Sequence, residues 1–248
     1  ILTEEMIPVT IQSLMSFNCN CENECFNECC RDLNQALTPY DVLRLKNSLG
    51  ISSQDFLKTY TALHYGPESG LPVIEFKPNP DKGYECPFVT PQGCSVYEDR
   101  PGSCRMYPLA RAITRSRQTG EINQYFALIE EPHCKGFGKG KGQSVEQWLK
   151  GQNVDRHNKE NDKLMELISL KNKIMPGKLE GLQTDIFYLA LYDLDEFRAQ
   201  IFEKDLLKSF SIPDGILRII TTDDEALLNL GIDWVKYRLF GVELLLGE

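Results

Sequence analysis

The clearest hydrophobic pattern lies in the C-terminal part of the chain, where large apolar residues recur at helical spacing. These residues are Phe187, Ala190, Leu191, Leu194, Phe197 and Ile201. Ser144 with Gln147 fits a capping box, in which the two side chains satisfy backbone groups of the first turn, and Thr222 with Glu225 fits a second. The pattern predicts a helical region over residues 144–248 whose large apolar side chains pack in a core.

Helices and strands are both predicted in the N-terminal half. Thr38 can cap a helix, Pro39 suits the first helical position and Gly50 can end it. A second, shorter helix follows, capped by a serine. The runs 71–78 and 121–130 alternate partly between apolar and polar residues, which predicts short strands. The predicted fold class is therefore α+β, with a small sheet and helices followed by a C-terminal helical region.

Charge and hydropathy narrow the classes of function. The 248-residue chain has a formal net charge of −9. This charge disfavours nucleic-acid binding, because neutralising phosphates requires a basic surface. No apolar run of about 18 residues is present, so no membrane span is predicted. The N-terminal residues lack the basic and apolar regions of a signal peptide, and we expect a soluble, cytoplasmic protein.

All nine cysteines lie within the first 134 residues, and an odd number argues against a closed set of disulfides. With Cys19 set aside, the other eight form two groups of four. The first group is Cys21, Cys25, Cys29 and Cys30; the second is Cys86, Cys94, Cys104 and Cys134. Thiolates are soft ligands that suit Zn(II), Cu(I) and iron–sulfur clusters. Since four thiolates complete one such site, the eight residues are predicted to ligate one or two metal centres.

The neighbours of these cysteines bear on how they would bind metal. Prolines and glycines stiffen and turn the chain between Cys86 and Cys104, which suits a loop wrapped around an inorganic centre. Side chains of adjacent residues tend to point apart. Cys29 and Cys30 could therefore bridge two sites, or supply one ligand and one spare thiol. The role of Cys19 stays open at this stage.

A stretch rich in glycine and lysine at residues 136–143 follows the last cysteine, and glycine holds regular structure only at a cost. We therefore predict two domains. Residues 1–143 would form a cysteine-cluster metal-binding domain, and residues 144–248 a helical region packed on it.

The segment from Cys86 to Pro108 has the sequence CPFVTPQGCSVYEDRPGSCRMYP, preceded by the tight cysteine group at 21–30 and followed by Cys134 and its glycines. In this pattern, residues 17 to 142 resemble the YkgJ-type cysteine-cluster family, described as zinc- or iron-chelating. The first group departs from the family, since it has three residues between cysteines where the family has two. The resemblance implies a bound iron–sulfur cluster or zinc and does not fix a reaction.

The function we expect is that of an iron–sulfur protein. It would bind one or two clusters, most simply [4Fe–4S], and serve electron transfer or the redox support of a protein partner. The first alternative is a structural zinc-binding interaction module. The second is a component of a protein-modifying enzyme, because related cysteine clusters occur in flagellin lysine methylases. Whether the chain is itself an enzyme stays open, and no catalytic residues are assigned.

Overall fold

The computed structural model describes residues 5–31, 35–116, 119, 121–208, 210 and 212–244. The strands in these ranges are β1 (Glu5–Val9), β2 (Leu14–Met15), β3 (Ala36–Leu37), β4 (Thr61–Tyr65), β5 (Pro72–Phe76), β6 (Val89–Thr90), β7 (Gly93–Cys94), β8 (Leu109–Arg115), β9 (Ile122–Glu130) and β10 (Gln143–Ser144). The α-helices are α1 (Pro39–Leu49), α2 (Ser53–Tyr60), α3 (Gly102–Met106), α4 (Val145–Gly151), α5 (Asp155–Ile174), α6 (Leu182–Leu191), α7 (Leu194–Glu203), α8 (Asp214–Ile220) and α9 (Asp224–Phe240). Short 3-10 helices cover Glu28–Cys30, Pro80–Lys82 and Tyr97–Asp99. The predicted α+β class is confirmed.

The chain divides into two compact units. The first comprises Ile1–Leu33 and Pro78–Asn158, and the second comprises Asn34–Lys77 and Lys159–Glu248. The division into residues 1–143 and 144–248 stays a prediction beside this contact-based one. None of the helices within the described ranges is both long and apolar enough to cross a bilayer.

The first unit is built on three antiparallel strands in the order β1-β9-β8. Phe126 in β9 stands opposite Val9 of β1 and Arg111 of β8. Two smaller antiparallel pairs, β10 with β2 and β6 with β7, complete its strands as described. Its core is a cluster of buried side chains from the strands and from the helices that follow them. They are Met15, Phe17, Met106, Leu109, Phe126, Val145, Leu149 and Val154.

The second unit packs helices around the antiparallel sheet β3-β5-β4. Phe56, Ile74, Phe187 and Leu227 are each at most 2 % exposed and form part of its core. Helices α6 and α9 approach closely at Gly231, where an added β-carbon would collide with the carbonyl oxygen of Ala190. The size of the residue at that one position therefore limits how near the two helices can lie.

The second unit also contains a partly buried group of charges. The ammonium of Lys46 lies 2.7 Å from an oxygen of Asp224 and 3.4 Å from one of Asp195. Arg198 contacts the same two carboxylates, at 3.0 Å for Asp195. The amide of Ser53 donates to Asp195 at 2.7 Å. Two cations and two anions thus satisfy one another, which offsets much of the cost of removing them from water.

Several predicted element boundaries are confirmed. Helix α1 begins at Pro39 with Thr38 as its cap, and Gly50 ends it in the left-handed conformation that glycine adopts readily. The capping box of Ser144 and Gln147 is present as well. The predicted start of the last helix is wrong: the cap is Asp223, whose carboxylate accepts from the amides of Glu225 and Ala226. A carboxylate at that position also interacts favourably with the positive end of the helix dipole.

Candidate metal centre

Three cysteine-bearing segments meet in the first unit. We call them the first segment (residues 16–31), the second segment (residues 85–104) and the third segment (residues 131–140). None of the nine cysteines, all of which lie in described residues, forms a disulfide, and every one of them belongs to one of these segments. The structure therefore brings together cysteines from distant parts of the sequence, the residues that the sequence analysis predicted to bind metal.

The first and third segments are joined by their backbones. The amide of Asn18 donates to the carbonyl of Gly136 at 3.1 Å, and the amide of Gly138 donates to the carbonyl of Ser16 at 2.9 Å. A β-carbon at Gly136 would lie 2.7 Å from the ring of Phe17 and 3.0 Å from the oxygen of Asn18. Only glycine permits this approach. The stretch rich in glycine and lysine at residues 136–143 is thus paired with the first segment at its N-terminal end.

A thiol takes part directly in this junction. The backbone amide of Lys135 donates a hydrogen bond to the Sγ of Cys25 at 3.0 Å. Lys135 follows Cys134, and the pairing of Asn18 with Gly136 places Cys19 at the same junction. Cys19, Cys25 and Cys134 therefore belong to one neighbourhood, which the backbone holds in place.

The first and second segments are joined in a similar way. The amide of Cys86 donates to the carbonyl of Cys30 at 2.8 Å. The side-chain amide of Asn27 donates to the carbonyl of Thr90 at 2.8 Å. The guanidinium of Arg31 lies 3.2 Å from the carboxylate of Glu85. These contacts bring the thiol-bearing turn 25–30 against the second segment.

A buried asparagine organises the first segment from within. Asn23 is 7 % exposed, and its side-chain amide donates to the carbonyl of Asn18 at 2.7 Å. Its side-chain oxygen accepts from the ammonium of Lys139 at 3.3 Å, which ties it to the third segment. Sequence reasoning did not single out Asn23. The only sequence signal was its place among the cysteines, since its burial depends on contacts with distant residues.

The thiols of the first neighbourhood influence one another electrostatically. Burial raises the pKa of Cys19 to about 11, with further contributions from Cys29, Cys25 and Cys134. The pKa of Cys29 is raised far above its usual range, first by a hydrogen bond with Cys30 and then by burial. Negative charge on neighbouring sulfur atoms is unfavourable. A bound cation would relieve this repulsion.

The thiols of the second segment form a related neighbourhood. Burial raises the pKa of Cys86 to about 11, opposed by the amides of Phe88 and Val89. Burial also raises the pKa of Cys94, opposed by the amide of Val96 and the charge of Arg100. Cys29 raises the pKa of both thiols. Cys29 is therefore near thiols of both neighbourhoods.

Arg100 places a buried cation beside the second neighbourhood. It is 8 % exposed, its guanidinium stacks 3.7 Å from the ring centre of Tyr97, and it donates to the side chain of Gln152 at 2.6 Å. In the described part of the chain no carboxylate forms an ion pair with it. A buried positive charge among neutral partners favours negative charge nearby, such as that of thiolates.

The predicted ligands occupy different positions in this arrangement. Those brought near other thiols are Cys25, Cys29, Cys30, Cys86, Cys94 and Cys134. Cys21 is exposed and is not among the thiols that raise the pKa of Cys19. Cys104 is partly buried in α3. Cys19, whose role the sequence left open, lies in the first neighbourhood. Cysteine spacing could not distinguish Cys19 from Cys21, because the position of Cys19 depends on the hydrogen bond between Asn18 and Gly136.

The donor set suits a metal in its chemistry, since soft thiol sulfur predominates and the clustered thiols oppose one another's ionisation. Across the residues that the structure describes, no three histidine, cysteine, aspartate or glutamate side chains are arranged to hold one metal ion as they stand. Thiol side chains can change rotamer at little cost. The backbone thus brings the sulfur atoms near one another, and their final orientation depends on side-chain rotation. The complete ligand set stays a prediction.

Fold and site together define an α+β protein in which three cysteine-bearing segments meet. Residues 20–135 match the family CxxCxxCC, whose description reads "Putative zinc- or iron-chelating domain". The match confirms the resemblance to a cysteine-cluster family over this stretch, and it supports metal binding in general. No curated protein and no solved structure matches the chain.

Proposed function

We propose that the first unit binds an iron–sulfur cluster of the [4Fe–4S] type and that the protein serves electron transfer or the redox support of a partner protein. The observation that carries the proposal is the joining of three cysteine-bearing segments by backbone hydrogen bonds. The amide of Lys135 bonds the sulfur of Cys25, and the amide of Cys86 bonds the carbonyl of Cys30. Contacts of this kind place thiols from distant parts of the sequence in one small region.

The number of thiols supports a cluster. A [4Fe–4S] cluster takes four cysteine ligands. The first neighbourhood offers four thiols: Cys19, Cys25, Cys29 and Cys134. Cys30, Cys86 and Cys94 remain close by, so the chain has thiols for one cluster and for much of a second.

Backbone amides near sulfur also support the proposal. Hydrogen bonds to cluster sulfur and to its ligands raise the reduction potential, because they stabilise the more negative reduced form. The amide of Lys135 already makes such a bond to Cys25. Amides of Phe88, Val89 and Val96 favour negative charge on Cys86 and Cys94. Such a cluster would supply one-electron chemistry, and these residues would hold and tune it.

Exposure supports an exchange of electrons with another protein. Cys19 and Cys29 are exposed as whole residues although their thiol groups are partly buried, while Cys86 is buried. A centre ligated by both kinds of thiol would therefore lie partly at the surface of the first unit. A partner could approach its exposed side without any opening of the fold.

Anaerobic purification followed by metal analysis tests the proposal. We expect a brown protein with iron and acid-labile sulfide, an absorption band at about 400 nm, and a paramagnetic resonance signal after reduction. A colourless protein that holds stoichiometric zinc and takes up no iron on reconstitution would contradict it, and would favour a structural zinc module. Redox activity is tested separately, by whether the bound cluster cycles reversibly between two oxidation states.

A further inference from the structure

Tyr107 lies where the first and third segments meet. It follows α3 and precedes β8, and its ring packs edge-on against Phe17 with the ring centres 6.0 Å apart. Both Tyr107 and Cys134 pack against the core cluster of the first unit. Phe17 in turn pairs with Phe137 of the third segment. Tyr107 and Cys134 thus pack against the same core cluster.

The hydroxyl of Tyr107 is buried, and no acceptor among the described residues forms a hydrogen bond of good geometry with it. The polar groups that face it are the thiol of Cys134 and the carboxylate of Glu131. A buried donor without an acceptor is unfavourable and uncommon in native structures. A state of the site that supplied an acceptor would remove this cost.

Of the two facing groups, Glu131 already has another interaction. Its carboxylate lies 3.6 Å from the ring nitrogen of His133. Its backbone carbonyl accepts from the amide of Cys134, in a turn that positions the thiol. A neutral thiol is a weak acceptor, whereas a metal-bound thiolate sulfur carries more negative charge and accepts more strongly. Metal binding at Cys134 would therefore create the acceptor that the hydroxyl of Tyr107 lacks.

We propose that Tyr107 is a positioning residue that donates a hydrogen bond from its hydroxyl to the sulfur of Cys134 when that sulfur ligates a metal. The inference rests on the proposed metal centre, and it adds a group outside the cysteine set. Its role is to fix the direction of the Cys134 sulfur and to stabilise the thiolate. Groups that support ligands in this way contribute to both the affinity and the electronic properties of the bound metal.

The test compares Tyr107→Phe with Tyr125→Phe in the reduced, metal-free protein, with Co(II) as the probe. Tyr125 lies in β9 of the same unit and is 56 % exposed, so it serves as the matched control. We expect Tyr107→Phe to weaken Co(II) binding by about tenfold or more and to shift the thiolate-to-cobalt absorption band. Tyr125→Phe should match the wild-type protein in both measurements.

Unfolding of the metal-free proteins separates positioning from a purely structural role. Because the hydroxyl lacks an acceptor before metal binds, metal-free Tyr107→Phe should be at least as stable as the wild type. A clear loss of stability in that form, with no shift of the absorption band, would overturn the proposal. Wild-type affinity for Co(II) in Tyr107→Phe would also overturn it and leave the metal centre intact. A wild-type protein that binds no Co(II) would instead remove the centre on which the inference rests.

Discussion

The backbone amide of Lys135 donates to the sulfur of Cys25 across 3.0 Å, although the two residues are 110 positions apart in sequence. The donor is a main-chain group, so the bond does not depend on the side chain at position 135. It depends on the path of the third segment, which the pairing of Asn18 with Gly136 fixes. The position of one thiol is thus set by the fold of the first unit.

The choice between Cys19 and Cys21 gives the first prediction. Cys19→Ser should lower the metal content of the purified protein, because Cys19 lies with Cys25, Cys29 and Cys134. Cys21→Ser should retain it, because Cys21 is not among the thiols that raise the pKa of Cys19. Metal and sulfide per chain, measured after identical reconstitution, decide the matter. The reverse pattern would show that Cys21 is the ligand.

Proton release on metal binding is the second prediction. Burial and neighbouring thiols raise the pKa of Cys19 to about 11, and burial does the same for Cys86, so both thiols are protonated at neutral pH without metal. Metal binds the thiolate and must displace these protons. Co(II) affinity should therefore rise steadily with pH between about 6 and about 8. Titration in weakly buffered solution, followed with a pH electrode, should record acidification; an unchanged pH would contradict the prediction.

The same raised pKa values predict how the stability of the metal-free fold depends on pH. A thiol whose pKa is higher in the folded than in the unfolded state stabilises the fold below the unfolded value of 9.0. That contribution is lost as the pH rises through about 11. Alkaline conditions should therefore destabilise the metal-free protein.

The core of the second unit supplies the third prediction. Leu45 in α1 is 0 % exposed, whereas Leu182 at the start of α6 is 68 % exposed. Leu45→Ala should lower the free energy of unfolding by about 2–5 kcal/mol, through lost burial and the cavity it leaves. Leu182→Ala should change it by no more than about 0.5 kcal/mol. Urea unfolding of the two metal-free variants compares them directly, and equal effects would contradict the assigned burial.

The partly buried group of charges supplies the fourth prediction. Burial alone would raise the pKa of Asp224, but hydrogen bonds from Lys46 and Arg198 outweigh it and hold that pKa below its usual range. The carboxylate therefore stabilises the fold above about pH 4, and the contribution is lost as the pH falls through the lowered pKa. Asp224→Asn should lower the free energy of unfolding by about 1–3 kcal/mol at neutral pH.

Acid should reduce the difference in the free energy of unfolding between Asp224→Asn and the wild type. The wild type loses the contribution of Asp224 on protonation, and the variant has none to lose. Urea unfolding at pH 7 and at about pH 3 measures the two differences. A difference that does not change with pH would show that Asp224 acts through packing and not through its charge.

Local signals made part of the fold predictable. Thr38, Pro39 and Gly50 mark the ends of α1 by backbone chemistry that acts within a few residues. Helix α5 had no comparable signal, because charged residues crowd it and its buried Leu167 is one of few apolar anchors. The last helix was predicted to start at Thr222, since a capping box and an aspartate cap are hard to tell apart when both residue types are present.

The centre was predictable in residue type but not in arrangement. Cysteine spacing indicated thiol chemistry and two groups. It could not show that Cys29 is near thiols of both neighbourhoods, or that Asn23 is buried. Those facts depend on hydrogen bonds between segments far apart in sequence, such as that from Asn27 to Thr90. No local pattern encodes them.

The path of the chain through the first unit has a consequence for biosynthesis. The first segment leaves the ribosome early, and residues 34–77 of the second unit follow before the rest of the first unit is made. The amide that fixes the sulfur of Cys25 emerges 110 residues after it. A nascent chain therefore carries unassembled thiols while these 110 residues are made. Metal is therefore loaded onto the thiols of the completed chain, or cellular factors protect or load the thiols of the growing chain.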